Sequence, residues 1–187
     1  MWGTGIKMKD FEKVKEKLAK KHISYTLAAS PRSDLESALK FRKLCEMNKC
    51  GTYNASWTCP PAVGKPEDCV KRLEDFEKAL IVTNTFRDLD MNDFEGMKKM
   101  MKSHQDLCRD VKKMFQKEGF EELTLTDGAC TYCKKCTYPD RECKHPGMKV
   151  PSVSGFGIDM SEYIHSAGLE FEFKKDEATL YGLILFK

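Results

Sequence analysis

Seven cysteines gathered into two irregular stretches constrain this chain more than any other feature. They read Cys45-x4-Cys50-x8-Cys59-Pro60-Pro61 and Cys130-x2-Cys133-x2-Cys136-x6-Cys143. Two more, Cys69 and Cys108, bring the total to nine, an odd number. The start, MWGTGIKMKDFEKVKEK, has no apolar h-region and no cleavage site, so no secretory signal is expected. A cytoplasmic location follows as an expectation, and reducing compartments do not support disulfide frameworks. The thiols then serve as metal ligands, as buried apolar residues, or as both.

The stretches between the cysteines read as ordered elements. With 187 residues, a single domain over 1–187 is expected. Met8, Phe11, Val14 and Leu18 stand at helical spacing, and a short strand follows at 23–27. Ser33 reads as the N-cap of a helix toward Leu44. A helix from Pro66 to Ala79 precedes an apolar strand at 80–86. Asn92 or Asp93 caps a long helix ended by Gly119. Its apolar seam is Phe94, Met97, Met101, Cys108, Val111 and Phe115, with a turn skipped at His104. A strand at 120–126, a short helix at 160–167 and a hairpin of 169–173 with 178–186 complete the pattern. The expected fold is an α/β (α+β) sandwich, a mixed sheet of about four or five strands with packed helices. The two Cys-rich loops, at 45–65 and 128–155, interrupt it. Structureless loops of that length inside a compact domain are usually functional.

The second loop carries the strongest motif. Three thiols at every third residue can converge on one face, as in the C-x2-C-x2-C run by which bacterial ferredoxins hold [4Fe–4S] clusters. Cys143 can close a four-thiolate site on the same cluster. In ferredoxins the fourth cysteine comes sooner and serves another cluster. Zinc is the alternative: structural zinc sites use two separate Cys-x2-Cys pairs, and three cysteines with His145 would also suffice. Lys134, Lys135, Arg141, Lys144 and Lys149 surround the loop, either as a solvated surface, as compensation for an anionic cluster, or as a dock for an acidic redox partner.

In the first loop, Cys45, Cys50 and Cys59 supply three thiols without an obvious fourth ligand. A three-thiolate cluster leaves one iron open to a small ligand. The C-x3-C-x2-C spacing of radical S-adenosylmethionine enzymes is absent. The competing reading is three partly buried thiols in a loop stiffened by Pro60 and Pro61 and shielded by Trp57. Cys69 and Cys108 each keep helical register with apolar neighbours and read as core residues.

Other chemistries find little support. Thirty-two Lys plus Arg against 29 Asp plus Glu leave a net charge of +3 with the signs mixed, so no nucleic-acid partner is expected. No apolar run approaches the roughly 18–20 residues that cross a bilayer. There is no P-loop, GxGxxG, nucleophile elbow or Ser-His-Asp order, and no catalytic residue is nominated.

Taken together, the chain resembles the family of predicted metal-binding proteins called domain of unknown function 2284. The resemblance rests on Cys45, Cys50, Tyr53, Trp57-Thr58-Cys59-Pro60-Pro61, and on Cys130, Cys133, Cys136, Cys143, Pro146, Pro151-Ser152 and Gly157-Ile158-Asp159. It covers most of the chain. The sequence departs from the pattern at Gly155–Phe156 and in the wide Cys45–Cys50 spacing. The resemblance implies metal binding, with iron–sulfur chemistry in the cytoplasm of an anaerobic microbe, and no particular reaction. Ser152 and Asp159 either cap the 160–167 helix or hydrogen-bond near the clusters.

The leading expectation is a four-cysteine [4Fe–4S] cluster and a second, three-cysteine [4Fe–4S] cluster, acting in redox or sulfur-transfer chemistry. The alternatives are a non-catalytic electron carrier or cluster carrier, and a zinc-stabilised interaction domain. The partner would be a redox protein or a small molecule at the open iron. The final apolar strand could pair across a homodimer.

Overall fold

The computed structural model describes residues 8–90, 92–171 and 174–187. The elements run α1 (Met8–Lys20), β1 (Ser24–Ala29), α2 (Leu35–Glu46), α3 (Pro66–Glu74), β2 (Lys78–Phe86), α4 (Phe94–Lys117), β3 (Glu122–Thr126), α5 (Met160–Ser166) and β4 (Ala178–Phe186). Two 3-10 turns, Pro146–Met148 and Val153–Phe156, lie in the second loop and at its exit.

Four strands form one sheet in the order β1-β2-β4-β3. The α+β class agrees with the sequence. The sheet is antiparallel at all three pairings rather than mixed. Its one parallel contact is a bridge between Thr126 and Ser152. The apolar runs of β2 and β4 read like parallel strands because both of their faces are covered. On one face Ala79, Ile81, Leu183 and Leu185 pack on α3, α5 and Phe156. On the other, Leu80, Val82, Ile184 and Phe186 meet Phe11, Val14 and Leu18 of α1 and Val111 and Phe115 of α4. Each Val, Leu, Ile or Phe among them contributes about 1.5–3 kcal/mol when fully buried.

The sequence expects 169–173 to pair with 178–186 as a hairpin. Leu169, Glu170 and Phe171 take no strand conformation, and residues 172 and 173 lie outside the described residues. Instead β4 inserts between β2 and β3, which hydrogen-bond to its two sides. Both edges of β4 over Gly182–Phe186 are therefore occupied, so that stretch is not an edge on which a second chain could pair. The N-cap of α2 is Asp34, one residue beyond the expected Ser33, and accepts from the Ser37 N–H at 2.7 Å. Ser33 Oγ donates to Gly157 O at 2.8 Å. That contact closes α2 onto the turn at Gly157, where a Cβ would stand 2.6 Å from Ala38 Cα.

Candidate metal centre

The second loop leaves β3 and is held from beneath by the buried polar face of α4. Gln105 Nε2 donates to the carbonyls of Asp127 (3.1 Å) and Ala129 (2.9 Å). That orients Oε1 to accept from the Thr131 N–H, the Thr131 hydroxyl and Arg109 Nη2. Arg109 is 1% exposed. Its Nε donates to Met148 O at 3.0 Å, its Nη1 to Asp106 Oδ1 at 2.8 Å and its Nη2 to Cys130 Sγ at 3.3 Å. The guanidinium also lies 5.3 Å from the Tyr132 ring centre, within cation–π range. Cys130, Cys133, Cys136 and Cys143 all line one concavity, whose wall includes Trp57, Thr58 and His145.

The three first-loop thiols come from the end of α2 (Cys45), a tight turn (Cys50) and the segment entering Pro60 (Cys59). Thr52 Oγ1 stands 3.0 Å from Cys50 Sγ and 3.6 Å from Cys59 Sγ. That hydroxyl holds the Cys50 thiol below its ordinary value. Burial pushes Cys45 and Cys59 up, and Cys50 lies close enough to oppose the ionisation of each. The hydroxyls of Ser154 and Ser152 act in the opposite sense on Cys45 and Cys59 respectively. Cys50 is exposed whereas Cys59 is buried, so this group opens toward solvent from one side.

The two loops are stitched together. The Cys130 N–H donates to Thr58 Oγ1 at 2.9 Å, and the Ser152 N–H donates to Thr58 O at 3.0 Å. Trp57 Nε1 donates to Arg141 O at 3.1 Å, and its ring meets Tyr138 edge-on at 5.0 Å. Tyr138 Oη in turn bonds Asn54 Oδ1. Ser56, Trp57 and Thr58 of the first loop thereby become part of the second loop's wall.

Soft thiolates are the donors that select iron–sulfur clusters, zinc or copper(I) over oxygen-loving cations. The donor chemistry of both loops therefore fits a soft metal. Among the described residues, no three Cys, His, Asp or Glu side chains close into a group shaped to hold a metal ion. The sulfurs share a wall rather than a finished cage. Residues 31–186, which include both loops, match the family model described as predicted metal-binding protein (DUF2284). The chain belongs to this family. No curated protein and no solved structure matches it. The description of DUF2284 predicts metal binding and leaves the metal unspecified.

The remaining residues divide cleanly. Asp159 caps α5, accepting from the Glu162 N–H at 3.1 Å. Ser152 instead caps the 3-10 turn at Val153–Phe156, and its hydroxyl acts on Cys59. Phe156, one of the departures from the family pattern, is fully buried in the core. Cys69 and Cys108 are both buried in core clusters. Burial pushes the Cys108 thiol up to about 12. Arg42, 8% exposed, donates from Nη2 to Gly155 O at 2.9 Å and to Cys69 Sγ at 3.5 Å. Its charge also favours ionisation of Cys45. The apolar seam on α4 conceals Gln105 and Arg109, which sequence reasoning missed. Long polar residues at i and i+4 beside a Cys-rich loop were the available signal. Lys134, Lys135, Arg141 and Lys144 are exposed. Among the described residues no helix is long and apolar enough to cross a membrane.

Proposed function

We propose that this DUF2284 protein is a cytoplasmic iron–sulfur protein. Cys130, Cys133, Cys136 and Cys143 would hold one [4Fe–4S] cluster, and Cys45, Cys50 and Cys59 a second with one iron free of protein ligands. The observation that carries this reading is the single concavity lined by all four second-loop thiols. When bound, such clusters supply one-electron transfer, and an open iron supplies a position for a small sulfur or oxygen donor. The chain's own residues do the rest. Trp57 walls off water, while Thr58 and Gln105 fix the backbone beside Cys130. The exposed side of Cys50 admits a small molecule to the first loop. That access favours redox or sulfur-transfer catalysis over simple electron carriage. The exposed lysines beside the second loop suit an acidic redox partner, and reduced thiols suit the cytoplasm.

A zinc-stabilised interaction domain is the second reading. It is favoured by His145, which shares the concavity with the four thiols and packs against Tyr132 with ring centres 5.0 Å apart. Protein purified without air distinguishes the two. Two clusters give a brown protein with about eight irons and an equal amount of acid-labile sulfide per chain. Replacing Cys130 by serine removes about half of both, and so does replacing Cys59. Colourless protein holding zinc alone rejects the iron–sulfur assignment. Ligand-induced changes in the electron-resonance spectrum support the open iron, and insensitivity to every small donor supports an electron carrier.

A further inference from the structure

We infer that Arg109 is the fixed counter-charge of the second-loop metal centre, binding the Cys130 thiolate through Nη2 and setting the electrostatic potential at that centre. The inference rests on the reading that the second loop holds a metal and assigns a role to a residue of α4 that is no ligand.

A guanidinium is costly to bury. Removing a cation from water carries a penalty of several kcal/mol that only partners of opposite charge and good geometry offset. At Arg109, 1% exposed, the one carboxylate partner among the described residues is Asp106, whose side chain is 42% exposed and faces solvent. The other acceptors are neutral oxygens of Gln105 and Met148, and the sulfur of Cys130. Asp106 is a weak neutraliser from that position, because an exposed ion pair contributes little. On the buried side the acceptor is the sulfur of Cys130, and a metal centre held there by thiolates would supply the missing negative charge.

The geometry also fixes which way the guanidinium points. Gln105 is oriented by its two backbone carbonyl acceptors, so its Oε1 receives one Nη2 hydrogen. Nε is anchored on Met148 O and Nη1 on Asp106. Three sides of the fork are committed, and the remaining Nη2 direction falls on Cys130 Sγ. Lysine has no such fork. Hydrogen bonds to ligating sulfurs and nearby charge are two of the levers that set cluster potentials, and outer partners hold ligands in place. Arg109 supplies both from a rigid helix. It is a positioning residue and touches neither substrate nor iron.

The test compares wild type with Arg109→Gln, Arg109→Lys and, as a surface control, Lys135→Gln. Iron and sulfide are measured first, then the reduction potential of fully loaded protein. At equal iron and sulfide content, R109Q shifts the second-loop potential to more negative values. R109K shifts it less, because the charge stays while the bond to Cys130 is lost. K135Q shifts it least. A loaded R109Q with the wild-type potential overturns the inference while leaving the iron–sulfur assignment intact. If R109Q does not fold, R109K decides alone, and a potential equal to that of wild type overturns the bond to Cys130. Wild-type protein with zinc and no iron overturns the iron–sulfur assignment, and the counter-charge is then read as affinity. In that case R109Q yields zinc to a chelator about tenfold more readily, and equal release overturns the inference.

Discussion

Thr58 Oγ1 accepts the Cys130 N–H at 2.9 Å, joining the two cysteine loops across 72 residues of chain. Thr58 is 1% exposed. Its own N–H and hydroxyl are occupied by Ser56. The hydroxyl therefore serves as the hinge-pin between a segment ending in Cys59 and one beginning in Cys130.

Replacing Thr58 by valine keeps the shape and removes the acceptor. The half-buried Cys130 N–H then loses its acceptor, at a cost of about 1 kcal/mol. Urea unfolding should show that loss for Thr58→Val and little of it for Thr58→Ser. Equal stability of wild type and the valine variant would show that the bond does not hold the loops together.

Trp57 closes the concavity by its ring against Tyr138 and its Nε1 bond to Arg141 O. Trp57→Ala opens that wall without touching a sulfur. Metal content at purification should change little, while the rate of metal release to a chelator rises several-fold. An unchanged release rate would mean the indole does not shield the centre.

His104 on α4 is fully buried, and burial lowers it from 6.5 to about 4. The groups facing it are Cys108, 3.6 Å away on the same helix, and the Tyr181 backbone of β4. Between those two pH values the unfolded chain takes up a proton that the folded chain refuses. Stability is therefore complete above about pH 6.5 and falls as the pH drops toward 4, by roughly 3 kcal/mol in all. His104→Leu removes this component of the acid sensitivity. Urea midpoints measured near neutrality and near pH 5 check it, and a variant that retains the full wild-type slope refutes it.

Gly182 lies on β4 under α4, where a Cβ would stand 2.2 Å from Cys108 Sγ. Gly182→Ala should cost about 1–3 kcal/mol through overpacking. The double variant with Cys108→Ala should recover part of that loss, because the clashing atom is gone. Metal content should stay constant throughout the series. A drop on replacing Cys108 alone would contradict its place in the core.

The helices and the four observed strands were legible because periodicity and caps act locally. Asp93 and Asp159 cap α4 and α5 where the sequence places them, and Pro66 opens α3. What escaped depends on partners distant in the chain. Leu169–Phe171 carries strand-like residues, yet β4 finds its neighbours in β2 and β3. Ser33 lost the cap of α2 to Asp34 because its hydroxyl is engaged at Gly157. The cysteine pattern located both loops and drew attention to Trp57. It could not reveal that Trp57 and Thr58 wall the other loop's concavity. Gln105 and Arg109 were hidden for a similar reason: their partners in the second loop lie 21 to 39 residues onward.

The separation between Thr58 and Cys130 also bears on how a newly made chain acquires its metal. A ribosome adds about 5–20 residues per second, so the 72 residues between them take about 4–15 seconds to appear. Until then the first three thiols have emerged without the threonine's partner, the indole's carbonyl or the serines near Cys45 and Cys59. A nascent chain in that interval offers loose sulfur ligands to any passing soft ion. On the proposed metal-binding reading, selective loading would be a late event, favoured once translation has passed Ser154 and supplied the strand and loop that lock the first segment in place.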